Sequence, residues 1–240
     1  MAISARRMVT MFDLYYDRGQ TNADQDLPIE ARCVLLTVAY EAVFEELVRR
    51  SETSDRYRRL LRPFEIKHEQ LILAGGTSTY KIAKYPKNLK KVLARRVTIT
   101  KDGCGPRTIG VYMAQTNDLD AMLADSHWKP SYAWESCIGD EGSKGLYLYH
   151  GGDYDISKAE MDYIRKPSSI NAPSLVKDGA PYTDINGNTT GDTPCEFDDE
   201  SVANLIVDLA VAAAEGTLGN QRDYAMRVKK LVDQSGLAAI

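Results

Sequence analysis

CEFDDESVANLIVDLAVAAA, residues Cys195 to Ala214, is the stretch from which the fold is read. Asp198 or Asp199 can cap a helix there, and Glu200 adds negative charge where the helix dipole favours it. Val202, Leu205, Ile206, Leu209 and Ala213 then recur at helical spacing and form one apolar stripe. Behind it, Asn220 can cap a second helix in which Tyr224, Val228, Leu231 and Val232 keep the same period. Pattern alone therefore predicts a closing helical hairpin. Such a hairpin has to bury its stripe against another helical layer.

That layer is predicted near the start of the chain. Residues 1–25 end in the polar run GQTNADQD and are expected to form an N-terminal arm. Asp26 can cap the helix that follows, with Pro28 tolerated in its first turn. Ile29, Cys33, Leu36, Tyr40, Val43, Phe44 and Leu47 form its core face, and Val34, Leu35 and Val38 widen it. A helix apolar over so much of its circumference is expected to be buried on two sides, by its own domain and by a neighbouring subunit. A shorter helix with Tyr57, Leu60 and Leu61 follows and stops at Pro63. The same region carries Arg49, Arg50, Arg56, Arg58, Arg59 and Arg62. This basic run suits an acidic partner surface or a nucleic-acid backbone, or a solvated face paired with Glu45, Glu46, Glu52 and Asp55.

From Phe64 the period shifts toward two. Phe64–Lys67, Gln70–Leu73, Thr79–Ala83, Val92–Thr100 and Ile109–Met113 read as strands separated by Gly-containing turns. Thr116 can cap a short helix through Leu123. Residues 125–144 read as a loop holding Trp128 and Trp134, whose rings need a surface or an interface to lie on. Leu146–His150 reads as a strand, turned at Gly151–Gly152 into an antiparallel partner over Lys158–Arg165. Residues 167–197 are the longest irregular stretch, with Pro173 and Pro181 among its prolines, and are expected to form an arm ordered against something else. The predicted class is therefore α+β. N- and C-terminal helices (26–63 and 198–235) form a helical bundle, a small antiparallel β module (64–166, sandwich- or barrel-like) is inserted, and long extended arms extend from it.

The chain has 240 residues, 43% of them hydrophobic and 27% charged, with a net charge of -4 and a pI near 5.5. This balance is that of an ordinary globular protein and not of a nucleic-acid magnet. The sequence holds no apolar run long enough to span a bilayer or to serve as a signal peptide, so no membrane partner and synthesis in the cytoplasm are expected. The four cysteines, Cys33, Cys104, Cys137 and Cys195, lack metal-ligand spacing and are expected as free thiols. His68, His127 and His150 stand apart from any nucleophile or carboxylate pair, and the two in predicted strands read as partly exposed structural residues. Asp184-Ile-Asn186-Gly-Asn188-Thr begins like a calcium loop but lacks the glycine and the terminal glutamate that such a loop needs. No catalytic residue, metal or cofactor is predicted, and the chain reads as a part that assembles.

Three segments carry a resemblance: RPFEIKHEQLILAGGTSTYKIAKYPKNLKKVLARRVTI, GLYLYHGGDYDISKAEMDYIRKPSSI and CEFDDESVANLIVDLAV. In their order, with Tyr163-Ile164-Arg165-Lys166-Pro167 closing a strand, the chain resembles the head-to-tail adaptor or ring (connector) proteins of short-tailed phages. It resembles in particular those of the crAss-like phages that infect Bacteroidetes. The resemblance implies a virion structural protein in a homo-oligomeric ring of about twelve copies, closed by heterologous contacts. Such a ring docks on a portal protein or other tail rings and extends the channel through which packaged DNA passes without specific contact. Another ring of the same stack, or a tail-tube component, is the alternative within that class. A nucleic-acid-associated protein using arginines 49–62 and the lysine-rich stretch 81–101 is the alternative outside it, disfavoured because aromatics do not interleave with those charges. Candidate interface residues are Arg56, Arg59, Arg62, Trp128, Trp134, Pro173 and Pro181.

Overall fold

Helical and extended sequence sort into two units in the computed structural model, which describes residues 2–19, 27–115, 117–176 and 191–214. One unit comprises Met1–Phe64 with Pro167–Ile240, and the other Glu65–Lys166. Asp26, Thr116, Pro181, the Asp184 turn and the helix expected from Asn220 lie outside the described residues.

In the first unit the residues expected to form an N-terminal arm are instead largely a helix, α1 (Ala5–Gly19). The polar tail of that stretch concealed an amphipathic start, in which Met8, Val9, Phe12 and Tyr16 are buried at helical spacing. α2 (Ile29–Arg50) buries the predicted stripe from Cys33 through Leu36, Tyr40, Val43 and Phe44 to Leu47. α3 (Asp55–Leu60) is ended by Pro63 in a 3-10 turn, Arg62–Phe64. The closing helix (Glu200–Ala214) begins where Asp199 Oδ1 accepts the Ser201 backbone N–H and hydroxyl. The core of the unit is an aromatic cluster in which Phe64 meets Phe44 and Phe197 edge-on, both at 5.0 Å, and Phe197 meets Tyr40 at 5.5 Å.

The described parts of the expected 167–197 arm pack within this unit. Ile170, Asn171, Ala172, Cys195 and Phe197 are buried. The Ile170 N–H donates to Thr37 Oγ1 (3.0 Å), the Glu196 N–H to the Tyr40 hydroxyl (3.2 Å), and Cys195 exchanges backbone bonds with Ile3. Extended chain is tolerated in a core when its amides find partners in this way.

The second unit overturns the predicted class. It is a closed seven-stranded β-barrel, not a small module set into a helical bundle. Its strands are β1 (Glu65–Gly76), β2 (Tyr80–Lys84), β3 (Leu89–Lys101), β4 (Cys104–Met113), β5 (Cys137–Gly142), β6 (Gly145–Tyr149) and β7 (Asp155–Arg165). They close in the order β1-β2-β6-β5-β4-β3-β7, with β4 and β5 parallel and every other pair antiparallel. A short helix, α4 (Leu119–Ala124), lies in the connection between β4 and β5. Of the predicted loop 125–144, the final part is therefore strand β5. The two strands expected at 64–73 are one, kinked where the register shifts between Ile66 and Glu69 and where His68 takes φ +55°. β7 does not pair with β6; it lies between β1 and β3.

The barrel is filled and is not a pore. Leu71, Val97, Ile99, Leu146, Leu148, Ile156 and Met161 pack through its middle. Polar groups hold its two ends. At one end Arg95 pairs with Glu141, which also accepts the Tyr85 hydroxyl.

Candidate functional site

The other end of the barrel carries a cluster of polar and titratable groups. Alternation along β6 turns Leu146 and Leu148 into the core, and His150, next in that parity, lies at the barrel mouth and is only 4% exposed. On the neighbouring strand β2, Lys81 donates to the Ile156 carbonyl at 3.0 Å and pairs with Asp155 at 2.6 Å. Lys101, at the tip of β3, pairs with Asp153 at 2.5 Å, and the second Asp153 oxygen accepts the Tyr132 N–H. Tyr154 packs against the His150 ring, with centroids 5.9 Å apart, and its hydroxyl donates to the Ser136 carbonyl. Thr77, Ser78 and Thr100 complete an open cleft of about 670 Å³, within the roughly 300–1,000 Å³ usual for small-molecule sites.

The electrostatics of this mouth follow from the pairing. Asp153 and Asp155 are held below the usual carboxylate range by Lys101 and Lys81 respectively, so both are ionised at neutral pH. Burial pushes the His150 imidazole below its ordinary range and keeps it neutral. The Tyr154 backbone amide and the Asp155 carboxylate bear on the ring electrostatically. Both ring nitrogens are sealed from solvent, and the Tyr154 backbone engages the ring outside strict hydrogen-bond geometry. The Cys137 thiol, buried on β5, is pushed up to about 12 by desolvation and is chemically quiet. The arrangement can bind and orient a polar molecule through donors and acceptors of fixed direction.

The residues singled out in the sequence fall elsewhere. Arg59 and Arg62, together with Leu60, Phe197, Asp198 and Asp199, line an open cleft of about 360 Å³ in the helical unit, so acidic groups accompany the basic ones. Arg49 and Arg50 both bond Glu46, and Arg50 lies over the Tyr57 ring at 5.5 Å. Arg56 is half-buried and has a polar partner. Arg58, Arg59 and Arg62 are exposed. Pro173 opens a 3-10 turn, Pro173–Leu175, whose Ser174 bonds Asp192.

Trp128 and Trp134 belong to the barrel unit. Trp128 is 54% exposed and packs on Tyr112 of β4, itself 57% exposed, with centroids 5.8 Å apart. Trp134 is 81% exposed. Its turn is fastened by the Arg107–Glu135 ion pair and by Arg107 over the Tyr132 ring at 4.7 Å. The structure thus separates the arginines from the tryptophans, one set in each unit. Sequence reasoning missed the mouth, because its members come from β2, β3, β6 and the start of β7.

Among the described residues, no three His, Cys, Asp or Glu side chains gather as metal ligands would, and no helix is long and apolar enough to cross a membrane. Comparison with known proteins gives no match, either to a family model or to a curated protein.

Proposed function

We propose that the chain is a structural assembly subunit, a ring component of the head–tail junction of a short-tailed phage. The carrying observation is the aromatic surface of the barrel unit, where Tyr112, Trp128 and Trp134 are all more than half exposed. Aromatic side chains bring large contact area at low entropy cost and are enriched at the centres of protein interfaces. The helical unit offers a second apolar surface. Val38 is 44% exposed in mid-α2, and Val34 and Leu35 beside it are half-buried. A ring needs two different patches that meet head to tail, and these two are the candidates for that pair. The proposed position at the portal rests on the resemblance of the three sequence segments alone.

Light scattering of the purified chain, alone and mixed with the cognate portal protein, tests the proposal. A closed oligomer, or a monomer recruited into a ring by portal, is expected, and Trp134→Ala with Val38→Asp should abolish it without unfolding the chain. A monomer indifferent to portal that retards DNA with steep salt dependence would overturn the proposal in favour of nucleic-acid association.

A further inference from the structure

We propose that the barrel end that carries Glu141 binds the phosphate backbone of a nucleic-acid duplex through Lys84, Lys87, Lys144 and Lys166. Sheet pairing brings these four lysines together from three separate stretches of sequence. Ala83 pairs with Leu146, which sets Lys84 beside the β5–β6 turn, where Lys144 precedes Gly145. The Lys166 N–H donates to the Asn88 carbonyl at 2.7 Å, so the end of β7 lies against the β2–β3 connection that carries Lys87. Leu89 pairs with Arg165 at the same end. All four lysines are exposed, and none has an ion pair among the described residues. Cations gathered by a fold without acidic partners repel one another, and a polyanion relieves that repulsion.

The acids at this end are mostly taken. Glu141 answers Arg95 and Tyr85, Glu65 pairs with Lys67, and Glu69 accepts the Tyr163 hydroxyl. Asp140 has no ion pair among the described residues, so four open cations stand against one open carboxylate. The net charge of -4 for the whole chain conceals this segregation. Protein interfaces are built on aromatic and arginine anchors and are depleted in lysine. Here the exposed apolar group is one aliphatic side chain, Ile72, opposite Lys84. A single strand needs open rings on which its bases can stack. Tyr85 and Tyr147 at this end are half-buried, the first bonded to Glu141 and the second lying close to Gly142 and against Tyr80. Point charges on long stems, without a stacking surface, suit the evenly spaced phosphates of a duplex and read no sequence. The site lies within the barrel unit, and duplex binding by a chain that also assembles leaves the ring reading in place.

The test is fluorescence anisotropy of a labelled DNA duplex of about 24 base pairs, titrated with the full chain at several salt concentrations. With one phosphate contact per lysine, log Kobs should fall against log salt with a slope of about -3.6 for each chain bound. Binding should therefore weaken roughly a hundredfold between about 50 and about 200 mM salt. Lys84→Gln with Lys87→Gln and Lys144→Gln should weaken it at least about tenfold at the lower salt and bring the slope to about -1. Arg58, Arg59 and Arg62 of the helical unit are also exposed and without an ion pair among the described residues. Their joint replacement by Gln should leave affinity and slope nearly unchanged. Should the triple lysine variant lose its fold, Lys144→Gln alone is read, with an expected loss of about one in the slope. No duplex binding at the lower salt, a slope shallower than about -2, or binding lost with the arginines and kept without the lysines would each overturn the inference. So would tighter binding to the single strand, or to polyglutamate of equal charge.

Discussion

Replacing Phe64 by alanine should loosen the helical unit and leave the barrel standing. The ring is fully buried, and Phe44, Phe197 and Tyr40, its aromatic partners among the described residues, belong to the helical unit. Truncating a buried phenylalanine to alanine costs about 3–5 kcal/mol through lost transfer energy and the cavity left behind. Each 1.4 kcal/mol is a tenfold change in an equilibrium constant, so opening of this unit should become roughly a hundred to a few thousand times more frequent. Hydrogen exchange resolved by peptide mass spectrometry reads this directly. Amides of α2 and of the closing helix should exchange faster by that factor, and those of β3 and β7 should keep their protection. Phe64→Leu keeps most of the apolar volume but loses two edge-on ring pairs, each worth about 0.5–1.5 kcal/mol, so it should fall between wild type and alanine. Equal loss of protection in β3 and β7 would show one cooperative block and refute the reasoning. So would a change in the helices below tenfold.

Three further outcomes are expected. Gly145→Ala should destabilise the barrel by at least about 3 kcal/mol, seen as a lower thermal midpoint. Gly145 has φ +129°, and a Cβ there would sit 2.4 Å from the Ala83 carbonyl oxygen, on the strand that β6 pairs with. In native protein Ellman's reagent should titrate Cys104 alone, since Cys33, Cys137 and Cys195 are buried, and all four thiols should react after unfolding. Barrel stability should fall as pH drops below about 6.5, the ordinary imidazole value. Burial depresses the His150 pKa, so the unfolded chain takes up that proton first and the folded state loses ground. Urea midpoints at pH 5.5 and 7.5 should differ in the wild type, and the difference should shrink in His150→Phe.

Elements with strong local period were legible from sequence. Most of the predicted stripes of α2 and of the closing helix are buried, Ile29 and Ala213 at their ends being half-buried, and Asp199 caps where an acidic start was expected. Barrel closure was not legible, because it rests on pairings between distant strands. β7 takes both β1 and β3 as neighbours, and the parallel β4–β5 pair has no turn to announce it. The Gly151–Gly152 turn promised a hairpin from β6 into β7. Instead the His150 and Gly151 amides both donate to the Thr79 carbonyl, which ties the end of β6 to the β1–β2 connection. α1 was lost for a different reason. Its buried face is short, and the polar residues after it dominated the reading of the whole segment.

The mouth of the barrel shows what a sequence does hold once parity is followed to its end. Leu146 and Leu148 share one face of β6, and His150, just past its end, is the next position in the same parity. Read as a lone strand histidine, His150 looked partly exposed. Read as the next inward position after two core leucines, it has to be buried. A buried imidazole needs either a polar partner of its own or a reason to lack one. Lys81 follows the same logic on β2, two positions before the core residue Ala83, and it finds Asp155 and the Ile156 carbonyl. Of the two inward polar residues that meet at this end, the lysine reaches a carboxylate and a carbonyl, while the histidine ring is sealed from solvent beside the Tyr154 backbone. At the opposite end Glu141 answers both Arg95 and Tyr85, while the buried Arg95 Nε is left without a partner, so each end of the barrel keeps one polar side chain incompletely paired.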